Sequence, residues 1–258
     1  MYQLSLEKDM DPRHEPNADS ENPESPTYGI HALNGWRALP IHFRVGNRLS
    51  AEQKAGLVAA MATWEFVIGK KLFVFEGVHD GVDGDSFTDL YSSLNDGVNG
   101  HYLDADWHKT GKEEFVLATA IWNYTSSAGS TIDTADIRFN DENYVIADSL
   151  TARTQGEREV VDMQTLALHE LGHLLGLSHI SDAEIDPGSI MAPRLLIGEG
   201  LTKRRLTKGD ILRIQQVYGC YDYACDVDDV VVKLEHRLNK SETTVETAST
   251  ESGQLTAH

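Results

Sequence analysis

Cysteine is nearly missing from this chain: Cys220 and Cys225 are the only two in 258 residues. Two cysteines cannot build a disulfide scaffold, and a zinc site made from them would lack partners nearby. A C-x4-C pair can still close a small loop, so the compartment stays open on that ground. Long apolar runs are missing too. The longest candidate, LALHELGHLLGL, is broken by His and Glu, which excludes a membrane span there. No basic segment followed by an apolar one opens the sequence, so no signal peptide is visible. Bases are scarce, 22 Lys and Arg against 41 Asp and Glu, for a net charge of −19. Residues 1–27 hold seven of the acids against Lys8 and Arg13, and residues 222–258 hold eight against Lys233, Arg237 and Lys240, so each end carries −5. A surface of that sign repels nucleic acid and anionic membrane, which argues against both as partners.

Four of the seven prolines (Pro12, Pro16, Pro23 and Pro26) fall among Asp, Glu, Asn and Ser. That composition predicts an extended or disordered lead over 1–27, with order beginning near Tyr28–Trp36. Alternation of Ile41, Phe43 and Val45 in PIHFRV predicts a strand over 40–45. Ser50 and Gln53 have capping-box spacing, and Leu57, Met61, Trp64 and Ile68 mark one face of a helix that Gly69 ends. KLFVFEGV (71–78), FVLATAIWNYT (115–125) and TADIRFN (134–140) are further strand candidates. Residues 79–114, rich in Asp, Asn, Ser and Gly, read as one long loop. A helix is expected from about Val160 to Leu175, closed by Gly176. Another is expected over 206–219, where Thr207 and Asp210 have cap spacing and Ile211, Ile214 and Tyr218 face a core. Beyond Cys225 the short run VVVKL gives way to a Ser/Thr/Glu tail, so 221–258 reads as largely disordered. No internal repeat is visible.

The stretch that carries chemistry is HELGHLLGLSH, residues 169–179. On a helix, positions i and i+4 lie about 40° apart around the axis and roughly 6 Å along it. His169 and His173 therefore project from one face and can grip one ion. Glu170 is turned by about 100° from His169, close enough to reach a water on that ion without being a ligand. Gly176 can adopt the left-handed conformation that turns the chain back, bringing His179 to the same ion. Three neutral nitrogens leave the fourth zinc position open, the arrangement of a catalytic rather than a closed structural site. Zinc lowers the pKa of a water, and Glu170 can serve as the general base. The plain alternative is a buried helix whose histidines are satisfied by hydrogen bonds; five residues at fixed spacings make accident a poor account.

The string resembles the metzincin signature H-E-x-x-H-x-x-G-x-x-H, and SIMAP supplies Met191, twelve residues after His179, where that group has its methionine turn. Four segments, TADIRFN, HELGHLLGLSH, DPGSIMAP and LTKGDILRIQQVYG, resemble the matrixin family of metzincins in the right order. The likeness covers roughly residues 28–220 and looks closer to bacterial matrixin-like proteases than to animal collagenases. It implies an α+β metzincin fold: a twisted mixed β-sheet over an active-site helix, a small lower subdomain carrying the methionine turn, and a C-terminal helix. It further implies a secreted, monomeric zinc endopeptidase acting on proteins or peptides. His169, His173 and His179 would bind zinc, Glu170 would be general base, Met191 would form the turn and Pro193 would line the substrate pocket.

Three positions depart from the family pattern. Ile180 follows the third histidine where Ser is usual, AEID (183–186) lengthens the segment before DPG, and Leu195 stands where a Tyr is frequent. Both cysteines follow the catalytic region, so latency through a cysteine is not available; an acid of the lead such as Asp9 or Asp11 is the alternative ligand, against the simpler view of a solvated tail. The family often carries structural zinc and calcium. His79, Asp80, Asp83 and Asp85, or His101, Asp104, Asp106 and His108, are the candidate ligands, weighed against plain solvated loop residues. The rival function is a zinc-stabilised binding or adhesion protein without turnover, which the intact Glu170 disfavours.

Overall fold

A computed structural model describes residues 3–5, 22–79, 96–124, 131–180 and 185–238. The elements are β1 (Gln3–Ser5), β2 (Ile41–Gly46), α1 (Ala51–Ile68), β3 (Phe73–His79), β4 (Asn99–Asp104), β5 (Ala118–Tyr124), β6 (Ile132–Asn140), β7 (Val145–Ala147), β8 (Val160–Asp162), α2 (Met163–Leu174), β9 (Arg194–Leu196) and α3 (Lys208–Tyr218), followed by a helix over 227–238 (α4). Five strands form one sheet in the order β3-β2-β4-β6-β5. The pairings among β3, β2, β4 and β6 are parallel, and β5 runs antiparallel to β6 at one edge. The fold is therefore α+β with a mixed sheet, as the sequence predicts.

Helix α1 forms where its cap demands. Ser50 Oγ accepts from Gln53 N at 3.1 Å, and Gln53 Oε1 accepts from Ser50 N at 2.7 Å, so two otherwise orphan donors are satisfied reciprocally. Leu57, Met61, Trp64 and Ile68 are all buried, as their spacing requires. Trp64 also donates from Nε1 to Leu168 O at 3.0 Å, which pins α1 against α2. Helix α3 repeats the device with Thr207 and Asp210. Helix α2 lies against both α1 and the edge strand β5. This places the histidine string between the helical layer and the sheet.

Three expectations need correcting. The long loop expected over 79–114 contains β4, whose residues 100–104 are all buried between β2 and β6. A strand covered on both faces shows no alternation, so the period-2 signal is absent. The helix expected from Val160 begins at Met163, because the β-branched pair Val160–Val161 is drawn into a parallel pairing with β7 and Asp162 caps the helix by accepting from Thr165 N at 2.9 Å. The tail expected to be disordered from 221 is helical over 227–238, where Val230, Leu234 and Leu238 recur every four residues and are buried. Cys220 and Cys225 form a disulfide just before it, and Tyr221 N donates to Ile68 O at 3.0 Å, which fastens this segment to the end of α1.

Of the acidic lead, residues 3–5 pair antiparallel with β9. Asp9, Asp11, Asp80, Asp83 and Asp85 lie outside the described residues.

Candidate metal centre

Helix α2 delivers His169, Glu170 and His173, all buried, from a cap held by charge. Asp162 accepts from Thr165 and also from Arg204 Nε at 2.9 Å, and Arg204 reaches on to Asp148 at 2.6 Å. Burial tends to raise the Asp162 carboxyl, but the Arg204 guanidinium and the Thr165 hydrogen bonds together outweigh it and hold the group below the usual carboxylate range. The helix ends at Leu174, and Gly176 takes φ 107°. Only glycine adopts that conformation without strain. A β-carbon there would also lie 2.8 Å from Ala32 O, because residues 31 and 32 both donate their amides to Gly176 O. The turn carries the chain back so that His179 faces the helix.

The three Nε2 atoms then meet: His169 to His179 at 3.2 Å, His173 to His169 at 3.1 Å and His173 to His179 at 3.1 Å. Which nitrogens carry protons follows from the opposite side of two rings. His169 Nδ1 lies 2.7 Å from Ile190 O and His173 Nδ1 lies 2.8 Å from Leu177 O. A carbonyl can only accept, so both Nδ1 atoms donate and both Nε2 lone pairs point inward. Burial, with the neighbouring His173 next in weight, holds the His169 and His179 rings well below the ordinary imidazole range, so they are neutral at physiological pH. Bonds of about 2 Å to a tetrahedral zinc set its ligand atoms roughly 3.3 Å apart. A triangle of neutral nitrogens with 3.1–3.2 Å edges fits that ion. Among the described residues this is the one group with the spacing of a metal site.

Met191 is fully buried and packs beneath the helix against Gly172. Its turn is held from two directions. Ile180 N donates to Met191 O at 2.8 Å, linking it to the residue after His179. Asp210 of α3 accepts from Ser189 Oγ at 2.5 Å and from Ile190 N at 2.9 Å. Ile180, one of the three departures from the pattern of the resembled family, is buried in the core. Asp186 of the lengthened segment is bonded by Thr207 Oγ1 and by Arg213. Pro193 is half-buried and leads into β9, where Leu195 is buried.

The second set of candidate ligands does not converge. Asp104 pairs with Arg138, Asp106 with Lys109, and His108 Nδ1 with Glu142 at 2.9 Å. His79 bonds the Tyr102 hydroxyl at 3.1 Å, and His101 is buried against the ring of Phe43. Sequence reasoning missed four supporting residues. His31 reaches His173 O, Trp36 donates to Leu174 O at 2.7 Å, and Trp122 stacks on His31. Arg204 completes the set through Asp162. None has a local signal, since each acts across more than 40 residues.

Residues 94–219 match the family model described as matrixin. The chain is 40% identical over 79 residues to the metalloendoproteinase 2-MMP of Arabidopsis thaliana, covering 31% of this chain and 19% of that protein. It is 39% identical over 80 residues to the metalloendoproteinase 5-MMP of the same plant, covering 31% and 21%. Matrilysin of Rattus norvegicus is 44% identical over 66 residues, covering 26% and 23%. The matched stretch thus spans about a fifth of the length of these curated relatives.

Proposed function

Because the chain belongs, through residues 94–219, to the matrixin family of metzincin metalloproteases, we propose that it is a zinc-dependent endopeptidase cutting internal bonds of protein or peptide substrates. The observation that carries this reading is the convergence of the three Nε2 atoms of His169, His173 and His179. Those residues would hold zinc. When bound, the ion supplies Lewis acidity, polarising a carbonyl and making a water nucleophilic near neutral pH.

The remaining work falls to the chain itself. Glu170 neighbours His169 on α2 and is fully buried. Its carboxylate removes the proton of the attacking water and passes it to the departing amine. Strand β5 closes one end of the sheet and lies beside α2. An extended peptide can add to such an edge by main-chain pairing, which suits a substrate held by its backbone. Pro193, between Met191 and β9, forms the wall of the side-chain pocket. The Cys220–Cys225 disulfide supports residence in an oxidising, extracellular or periplasmic compartment.

The test is Glu170→Ala. The variant is expected to fold and take up zinc like its parent while losing peptide cleavage by about 10²- to 10⁴-fold. Equal cleavage by parent and variant would remove the base from this reading. A parent that takes up zinc yet cuts no peptide in an unbiased library would favour a binding role instead.

A further inference from the structure

We propose that His31 is a positioning residue of the metal centre, fixing the main chain at His173 through a hydrogen bond that Tyr124 orients. The inference rests on the metal-centre reading above and adds to it a part supplied from 142 positions away in sequence.

His31 Nε2 lies 2.8 Å from His173 O. The carbonyl can only accept, so Nε2 carries the proton and donates. The other ring nitrogen, Nδ1, lies 2.5 Å from the Tyr124 hydroxyl, which donates to it. Tyr124 thereby selects the tautomer that makes the bond to His173 possible. Trp122 stacks on the His31 ring at 4.2 Å with planes 17° apart, and it also neighbours the His173 ring at 6.5 Å and 29° and, edge-on, the Tyr124 ring at 6.4 Å. The same indole therefore backs both the positioning ring and the ligand ring.

His173 is thus held twice. Its ring is oriented by the bond from Nδ1 to Leu177 O, and its carbonyl takes His31 Nε2–H together with Gly176 N–H at 2.9 Å. The carbonyl sits in the last turn of α2, where helix acceptors lack the usual i+4 partners. Without the His31 imidazole the carbonyl keeps only Gly176 N–H, so the backbone that carries the ligand loses one of its two fixed points there, and Nε2 can drift from a triangle whose edges are only 3.1–3.2 Å. Groups hydrogen-bonded to metal-ligating side chains are typically worth about 10- to 100-fold in metal affinity, and His31 acts on the same ligand through its main chain.

A mere tether would be expected to matter for folding, and here the tether is supplied by other bonds. The segment around His31 is docked by its own main chain: His31 N to Gly176 O at 2.8 Å, Ala32 N to Gly176 O at 3.1 Å and Ser178 N to Gly29 O at 2.9 Å. Removing the imidazole leaves all three in place.

The experiment uses full-length protein carrying Glu170→Ala, so that no result depends on turnover. His31→Phe keeps the stack on Trp122 and removes the donor; His31→Gln restores an N–H; Tyr124→Phe removes the group that sets the tautomer. Zinc dissociation constants are measured by competition with a chromophoric chelator, the visible spectrum is recorded with cobalt in place of zinc, and thermal unfolding is followed without metal. His31→Phe is expected to weaken zinc by about 10- to 100-fold and to shift the cobalt bands, with the metal-free midpoint unchanged. Tyr124→Phe is expected to act in the same direction by a smaller factor, and His31→Gln to recover most of the loss. Unchanged affinity and spectrum in both His31→Phe and Tyr124→Phe would overturn the inference, as would losses that only track a fall in the metal-free midpoint. A Glu170→Ala parent that binds neither metal would overturn the metal-centre reading itself and this inference with it.

Discussion

Gly172 and Met191 approach so closely that a β-carbon on Gly172 would overlap Met191 Sδ. The glycine lies inside the histidine string and the methionine on the turn beneath it, so the contact is where the ligand helix rests on its support. Trp64 Cζ2 would stand 3.3 Å from the same added carbon, which leaves no side to yield.

Gly172→Ala is therefore expected to destabilise the protein by about 1–3 kcal/mol, although alanine is the better helix former by about 1 kcal/mol. Chemical denaturation of the metal-free protein measures it. In a Met191→Ala background the sulfur is gone, and the added methyl group should cost little or nothing. The same penalty in both backgrounds would mean that Met191 is not the obstacle.

His101 sits on the central strand β4, buried against Phe43, and neither ring nitrogen has a hydrogen-bond partner among the described residues. Burial lowers its pKa to about 3. The unfolded chain, with an ordinary imidazole near 6.5, binds the proton first, so stability is complete above about 6.5 and drains away as pH falls toward 3. The slope from this one group is about 1.4 kcal/mol per pH unit. His101→Leu should add about 1 kcal/mol at neutral pH by removing unpaired polar atoms, and should flatten this part of the acid limb. Denaturant midpoints from pH 7 to pH 4 test both claims, and a parallel loss in variant and parent would refute the second.

Along α4, Leu234 is 4% exposed and Val232 is 66% exposed. Because the helix docks through Leu234 and not Val232, Leu234→Ala should cost about 2 kcal/mol or more, while Val232→Ala should stay within about 0.5 kcal/mol. Equal, negligible effects in urea titrations would return this segment to the solvated tail that its composition suggests.

Much of the architecture was legible because its signals are local. The capping boxes at Ser50 and Thr207 need only three residues of spacing, and α1 and α3 lie where those spacings place them. The histidine string is likewise a matter of helical period plus one glycine. Strand β4 was illegible because burial on both faces erases alternation, and α4 because three apolar residues in an acidic stretch are outweighed by composition. The aspartates and histidines of 101–108 looked like ion ligands from their chemistry alone. The partners of Asp104 and His108, Arg138 and Glu142, are more than 30 residues away in sequence, whereas Asp106 takes the nearby Lys109.

The amino-acid order alone determined which atoms could grip a metal, since two imidazoles four residues apart share a helix face in any environment. Whether the third would join them, which nitrogen each would offer, and what would hold the helix end still were decided by tertiary structure. Those outcomes depend on carbonyls at Leu177 and Ile190, on a left-handed turn wedged against Ala32, and on His31. Hydrogen bonds reach only about 3 Å, so a partner distant in sequence exists only after the chain has brought it there.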